Sequence, residues 1–447
     1  MKYYIIAGEA SGDLHGSNLI KALQNLDNQA VIRAWGGDMM AEAGADIRKH
    51  YRDLAFMGFL EVVKNLRTIT RNMAFCKRDI LEFQPDVVIF IDYPGFNLRI
   101  AKWLFNYQKA LKTADFPKIK LFYYISPQIW AWHTSRVHDI KRIMDKVFCI
   151  LPFEKDFYKK YDYDVDYIGH PLLDVVKKAK NTEGSLDFGF SILDFGLTSA
   201  ETQNPKSEIN KPVIALLAGS RRQEIEAMLP TMLAVVPYFP DYHFVIGAAS
   251  AQDLSYYSSF IKNASLNFKN NSSDFNNNSS DFNNNLSSSN DNSPHFNNNS
   301  SNFDHSLSDF KNDSSLNITV SIVQNKTYDV LKIATAALVK SGTSTLETAL
   351  FGVPQVVCYK GSALSFAIAK RVVKIKYISL VNLIADKEIV KELIQDDFTV
   401  ENLRVELQKA IDNQAIMKKD YAILRGILGN EGASERAAAL MIQYLKE

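Results

Sequence analysis

Tyr3-Tyr4-Ile5-Ile6-Ala7-Gly8-Glu9-Ala10-Ser11-Gly12-Asp13-Leu14-His15-Gly16 stands almost at the start of the chain. An apolar run without alternation is the mark of a strand buried on both faces, and the glycines behind it read as a turn into a helix. The pattern returns two hundred residues on, where Val213-Ile214-Ala215-Leu216-Leu217-Ala218 breaks into Gly219-Ser220-Arg221-Arg222-Gln223-Glu224. In parallel α/β sheets ligands bind beyond the carboxyl ends of the strands, where helix N-termini present free N–H groups. Two such junctions predict two nucleotide-binding-like domains facing one cleft.

Further strand-like runs at 31–34, 86–91, 120–125 and 146–151 alternate with helical stretches, and the rhythm resumes at 242–247, 318–323, 336–340 and 355–359. This alternation predicts an α/β chain with doubly wound parallel sheets. Residues 180–211 read as a linker, and the Asn/Ser-rich stretch 263–316 as a disordered insertion in the second domain. With 47% hydrophobic and 23% charged residues and a formal net charge of +1, nucleic acid is not expected as a partner. Cys76, Cys149 and Cys358 have no paired spacing, so neither a zinc site nor a disulfide framework is expected, and a cytoplasmic setting is the simplest reading. No apolar run is long enough to cross a bilayer, and no signal peptide precedes the first strand.

The first turn lacks both the Walker lysine and the Gly-x-Gly-x-x-Gly spacing. Its glycines at 8, 12 and 16 suit a wide turn with close backbone approach to a ligand, while Glu9 and Asp13 suit sugar hydroxyls better than phosphate. The plainer alternative is that Ser11 or Asp13 caps the helix. Asp92, in Ile91-Asp92-Tyr93-Pro94-Gly95-Phe96-Asn97, ends an almost wholly apolar strand. Desolvation there should raise its pKa toward that of a useful general base, although an Asp before a proline turn can equally serve backbone amides. Ser126-Pro127-Gln128-Ile129-Trp130-Ala131-Trp132-His133 places aromatic rings where they could stack on a sugar, line an acyl channel or pack between domains. Arg221 would lie at a helix N-terminus and grip a diphosphate, with its neighbours Arg222 and Glu224 offering an ordinary surface pair instead. Ser341, Gly342 and Thr343 form a small-residue turn suited to phosphate oxygens, and Glu347 one turn later could accept ribose hydroxyls. Asp162-Tyr163-Asp164-Val165-Asp166 imitates a metal loop, but its twelfth position is Leu173, so an edge strand and no metal are predicted.

Between 56 and 80, Phe59, Val62, Val63, Leu66, Ile69 and Met73 recur at helical spacing, with Lys64, Arg67, Arg71 and Arg78 on another face. With Met57 just ahead, this basic amphipathic helix is expected to lie on a lipid surface, the alternative being a core-facing helix with a solvated basic side.

Taken together, these motifs closely resemble the bacterial lipid-A-disaccharide synthases. The resemblance also rests on Met57-Gly58-Phe59-Leu60-Glu61-Val62, Leu151-Pro152-Phe153-Glu154-Lys155 and Ile168-Gly169-His170, and covers nearly the whole chain outside the insert and linker. It implies a GT-B fold: residues 1–180 an acceptor- and lipid-binding domain, 181–211 the linker, 212–360 a UDP-sugar domain, 361–447 a helical tail packing back on the first domain. It implies an inverting, metal-independent transfer without cofactor, from UDP-2,3-diacylglucosamine to 2,3-diacylglucosamine 1-phosphate (lipid X), at the cytoplasmic face of the inner membrane. The essential aspartate falls on Asp92, the glycine-turn glutamate on Glu9 and the diphosphate-binding arginine on Arg221. Gly219, Ser220, Ser341, Gly342, Thr343 and Glu347 would complete the nucleotide site, and Gly8, Ser11, Asn97, Ser126, Gln128 and Trp130 the acceptor site. Two departures stand out: Gly95 where the family often has a second Asp, and Val381 where Pro is usual. The first concentrates the base role on Asp92. Oligomeric state is left open, with a homodimer among the arrangements considered. The rivals are a UDP-N-acetylglucosamine 2-epimerase-like enzyme and a non-catalytic nucleotide-sugar-binding protein; the latter has no need of Glu9, Asp92 and Arg221 together.

Overall fold

The computed structural model describes residues 1–54, 66–111, 118–182, 191–194, 211–249, 252–265, 319–362, 366 and 375–447. The chain divides into two compact units, one of Met1–Asn181, Ala363–Lys387 and Asp420–Glu447, the other of Thr182–Ser362 and Glu388–Lys419.

In the first unit β1 (Lys2–Ala7), β2 (Val31–Gly36), β3 (Asp46–His50), β4 (Val87–Ile91), β5 (Lys120–Tyr124), β6 (Lys146–Cys149) and β7 (Asp166–Tyr167) form one sheet in the order β3-β2-β1-β4-β5-β6-β7. Each neighbouring pair is parallel. The order reverses at β1 and β4, whose carboxyl ends therefore flank the crevice where doubly wound sheets take ligands. β4 is buried at every position. Helices cover both faces, as an all-parallel sheet requires. On one face Tyr4, Trp35 and Phe96 pack with Cys76 and Ile80 from the helix Leu66–Phe83. On the other, Tyr3 and Ile5 meet Leu19 and Leu23 of the helix Ala10–Leu26, together with Ala437, Ala438, Met441 and Ile442 of the helix Ala433–Lys446. Burying Met441 and Ile442 contributes roughly 1.5–3 kcal/mol apiece. Arg436 fastens this last helix by donating from Nε to the Ile168 carbonyl at 2.9 Å.

The second unit pairs β9 (Val213–Leu217) between β10 (His243–Ala248) and β12 (Ala334–Lys340), within the order β14-β13-β12-β9-β10-β11-β8. β11 is Thr319–Gln324, β13 Gln355–Tyr359 and β14 Lys391–Ile394. The stretch expected as linker contributes β8 (Ser191–Asp194), an antiparallel edge strand against β11. The Asp162–Asp166 run yields strand only at Asp166–Tyr167, the sheet edge, because Asp162 itself sits at φ +52° in the left-handed region. The expected insertion lies almost wholly outside the described residues. So do Met57, Phe59, Val62, Val63 and Lys64 of the expected lipid-facing stripe, and the side chain of Leu66. Among the described residues no helix is long and apolar enough to cross a membrane.

Candidate active site

β4 ends in a strained corner. Asp92 and Tyr93 have φ of +41° and +45°, and Ile125 at the end of neighbouring β5 has +63°. Non-glycine residues held there cost roughly 1–3 kcal/mol each, and such strain persists only where surrounding structure imposes it. Asn97 supplies much of that constraint. Fully buried, it donates its side-chain amide to the carbonyls of Asp92 (2.8 Å), Ile91 (3.2 Å) and Ile6 (3.4 Å). Tyr123 donates its hydroxyl to the Asp92 carbonyl at 2.7 Å. Asn97 was expected to touch a sugar; buried among these carbonyls, it is instead the clamp that orients Asp92. Pro94 then starts the helix Pro94–Leu111 at a position where its missing N–H costs nothing.

The Asp92 carboxyl is pushed up to about 7, first by burial and then by the nearby charge of Glu9. Glu9 is the residue preceding the helix Ala10–Leu26, and its side chain makes no hydrogen bond to that helix end. Ser11 lies in the first turn, half-buried. Gly8 lies beneath Tyr93: a methyl group there would meet the ring carbons at 2.4 Å. The wide-turn reading of the three glycines fails at its other two positions. Gly12 and Gly16 are helical, and added methyls would meet Ala7 Cβ at 3.1 Å and Met40 Sδ at 2.7 Å. Their spacing by four is a stripe for close helix packing. Asp13 does cap a helix, but not its own. Its carboxylate accepts from the amides of Gly37 (2.7 Å), Met40 (3.1 Å) and Met39 (3.2 Å), at the start of the helix Asp38–Glu42.

Beyond β5, Ser126 is buried and its hydroxyl shares a 2.7 Å hydrogen bond with that of Tyr158. Gln128 is exposed and Trp130 half-buried. The Trp130 ring meets Phe153 edge-on at 4.8 Å, and its Nε1 donates to Glu154 Oε1 at 3.2 Å. Glu154, only 1% exposed, is a site-side carboxylate to which sequence reasoning gave no role. The signal was there, in Leu151-Pro152-Phe153-Glu154-Lys155.

In the second unit Gly219 has φ +105°, and a methyl there would meet Glu224 Oε2 at 2.5 Å, so only glycine fits. Glu224 curls back to accept from the amides of Ser220 (3.2 Å) and Arg221 (3.4 Å). Its other oxygen takes Arg221 at 3.2 Å and Lys340 Nζ at 2.8 Å. These cations hold Glu224 below the usual carboxylate range, with Lys340 the larger favourable influence. Arg221 precedes the helix Arg222–Leu233, exposed, and Lys340 ends β12. Two cations thus converge beside one carboxylate where sequence reasoning named a single arginine. Ser341 and Gly342 lead into the helix Thr343–Phe351, with Gly342 at its N-cap. Glu347 is turned toward Tyr328, whose hydroxyl donates to Oε1 at 2.8 Å, and burial raises its pKa.

The carboxyl ends of β1 and β4 thus hold the raised carboxyl of Asp92 beside a second acid, Glu9, and those of β9 and β12 bring Arg221 and Lys340 together on Glu224. The chain's sequence matches the family model described as "Lipid-A-disaccharide synthetase" over residues 3–238 and 277–443. It belongs to the lipid-A-disaccharide synthase family. A lipid-A-disaccharide synthase of Syntrophus aciditrophicus is 32% identical over 99% of this chain and 97% of its own length; one of Geobacter sulfurreducens is 31% identical over 99% and 96%. In fold, the chain is similar to a UDP-GlcNAc 2-epimerase of Neisseria meningitidis (TM-score 0.55, 12% identity, 100% of both chains). At that identity the likeness shows the fold alone, two parallel-sheet α/β domains of the GT-B type. The sequence motifs on which the resemblance rests lie at the strained corner, the Trp130 loop and the Gly219 turn.

Proposed function

We propose that the chain condenses UDP-2,3-diacylglucosamine with 2,3-diacylglucosamine 1-phosphate, giving the β-1,6-linked disaccharide 1-phosphate and UDP. The observation that carries this reading is Asp92: a carboxyl raised to about 7 at a strained strand end, in a chain of this family. Near neutrality such a group takes up a proton readily, which is what a general base requires. Asp92 removes the proton from the acceptor 6-hydroxyl as that oxygen attacks the anomeric carbon from the face opposite UDP. The bond to the diphosphate breaks with its electron pair on the leaving oxygen, and Arg221 and Lys340 neutralise the charge. Glu9 keeps Asp92 proton-hungry. Ser11, Gln128 and Trp130, the half-buried or exposed side chains of the expected acceptor set, meet the acceptor sugar.

The test is Asp92→Asn, assayed by mass spectrometry of products from defined diacyl substrates. Turnover should vanish while UDP binding persists; substantial residual transfer would refute the base role. Conversion of plain UDP-N-acetylglucosamine to its 2-epimer would favour the epimerase reading.

Peripheral membrane contact is part of the same proposal. It is supported by a cavity of about 490 Å³ lined by Arg48, Lys49, Arg71, Asn72, Phe75 and Arg78, along the helix that continues the expected lipid-facing stripe. Serine substitutions along that stripe should lower recovery with anionic vesicles in flotation; unchanged recovery counts against it.

A further inference from the structure

Glu154 stands at the third position of the helix Pro152–Lys159, where a glutamate ordinarily reaches back from solvent to cap the first turn. This one is buried, and only half of it caps. Oε2 accepts from the amides of Leu151 (2.9 Å) and Ile150 (3.2 Å), while Oε1 reaches another element and accepts from the Trp130 indole at 3.2 Å. All three donors favour the ionised form. The three loops involved are neighbours: Asp92 N donates to the Ile125 carbonyl (3.3 Å), and Ile125 N and Ser126 N donate to the Phe148 carbonyl (3.1 and 3.3 Å). The corner after β4, the Trp130 loop after β5 and Glu154 after β6 therefore share one edge of the sheet.

We propose that Glu154 is a positioning residue for the acceptor half of the reaction, holding the Trp130 ring as a wall of the site. The proposal rests on the reading of Asp92 as base. Burial and the Asp92 charge both push Glu154 up, to about 7, against its three donors. Among the described residues these groups face the two acids. Glu9, Tyr93 and Tyr123 lie around Asp92, with Arg136 acting on Tyr123. Cys149, Tyr158 and Tyr167 feel the charge of Glu154.

Two variants separate the roles. Glu154→Gln keeps the shape and an acceptor for Trp130 but removes the charge. It should leave the acceptor KM close to the wild-type value. Trp130→Phe removes the indole donor and leaves the charge on its two amides. It should raise the acceptor KM roughly threefold or more. A purely structural cap would change thermal stability and leave the acceptor KM of Trp130→Phe at the wild-type value, and that result overturns the proposal. Should Glu154→Gln not fold, Glu154→Asp shortens the reach to Trp130 while keeping the charge. An acceptor KM at the wild-type level in both Glu154→Asp and Trp130→Phe is then the refuting outcome. Turnover surviving in Asp92→Asn would defeat the base assignment while leaving the acceptor KM arm to be judged by itself.

Discussion

Replacing Asp92 with Asn should make the protein more stable and inactive, and the gain should depend on pH. The folded protein holds this carboxyl at about 7 against an ordinary 3.8. It thus binds the proton more tightly than the unfolded chain does. The stability linked to that proton is complete below 3.8 and is lost as pH rises through about 7. At pH 8 the wild type carries an ionised carboxylate near Glu9 in a residue that is itself half-buried, so the gap between the two pKa values, about 4 kcal/mol, is an upper bound. At pH 5 the unfolded chain is ionised and the folded one is not, so the same linkage amounts to roughly 1.5–2 kcal/mol. Asn copies the shape of the protonated acid and tolerates the left-handed backbone at φ +41°. Denaturant titrations of wild type and Asp92→Asn at pH 5 and 8 measure the difference, with product formation followed in parallel. The variant should gain more at pH 8 than at pH 5. An equal gain, or a loss, at both would show that Asp92 is solvated and refute the reasoning for its basicity.

Lys340→Met should weaken UDP binding by roughly 10-fold or more, read by calorimetry, because it removes one of two cations and frees Glu224 to repel the diphosphate. Gly8→Ala drives a methyl into the Tyr93 ring; it should cost about 1–3 kcal/mol in unfolding and lower kcat, since Tyr93 adjoins Asp92. Asp13→Ala leaves three amides of the Gly37 turn without their acceptor and should cost about 2–4 kcal/mol by denaturation. Gly95→Asp should fold as well as wild type or gain about 0.5–1 kcal/mol, since nothing lies within 4 Å of the added carbon and an acid suits the first helical turn.

What could be read beforehand follows from burial. β1, β4, β9 and β13 are apolar because a central parallel strand is covered on both faces, and the pattern is visible in one dimension. Edge strands carry no such signature. Asp46-Ile47-Arg48-Lys49-His50 and Lys391-Glu392-Leu393-Ile394 are strands only because a neighbour offers them hydrogen bonds. The same divide runs through the site. Asp92 was legible because a charge ending an apolar run is anomalous. Asn97 looked like a ligand group until its three carbonyl partners were in view, and one of those, Ile6, lies on another strand. Lys340 was passed over because its partner Glu224 is 116 residues away. Val381, the other departure, falls in the first turn of the helix Leu380–Ala385, where Pro and Val are both accommodated.

The helix Ala433–Lys446 closes over the face of β1, the strand nearest the opposite end of the chain. During synthesis Tyr3, Ile5 and Leu23 therefore lack their cover from Ala437, Ala438, Met441 and Ile442 until that helix has emerged. A stop codon just before Met441 would remove two of those covering side chains, Met441 and Ile442, and leave apolar surface of the first unit bare.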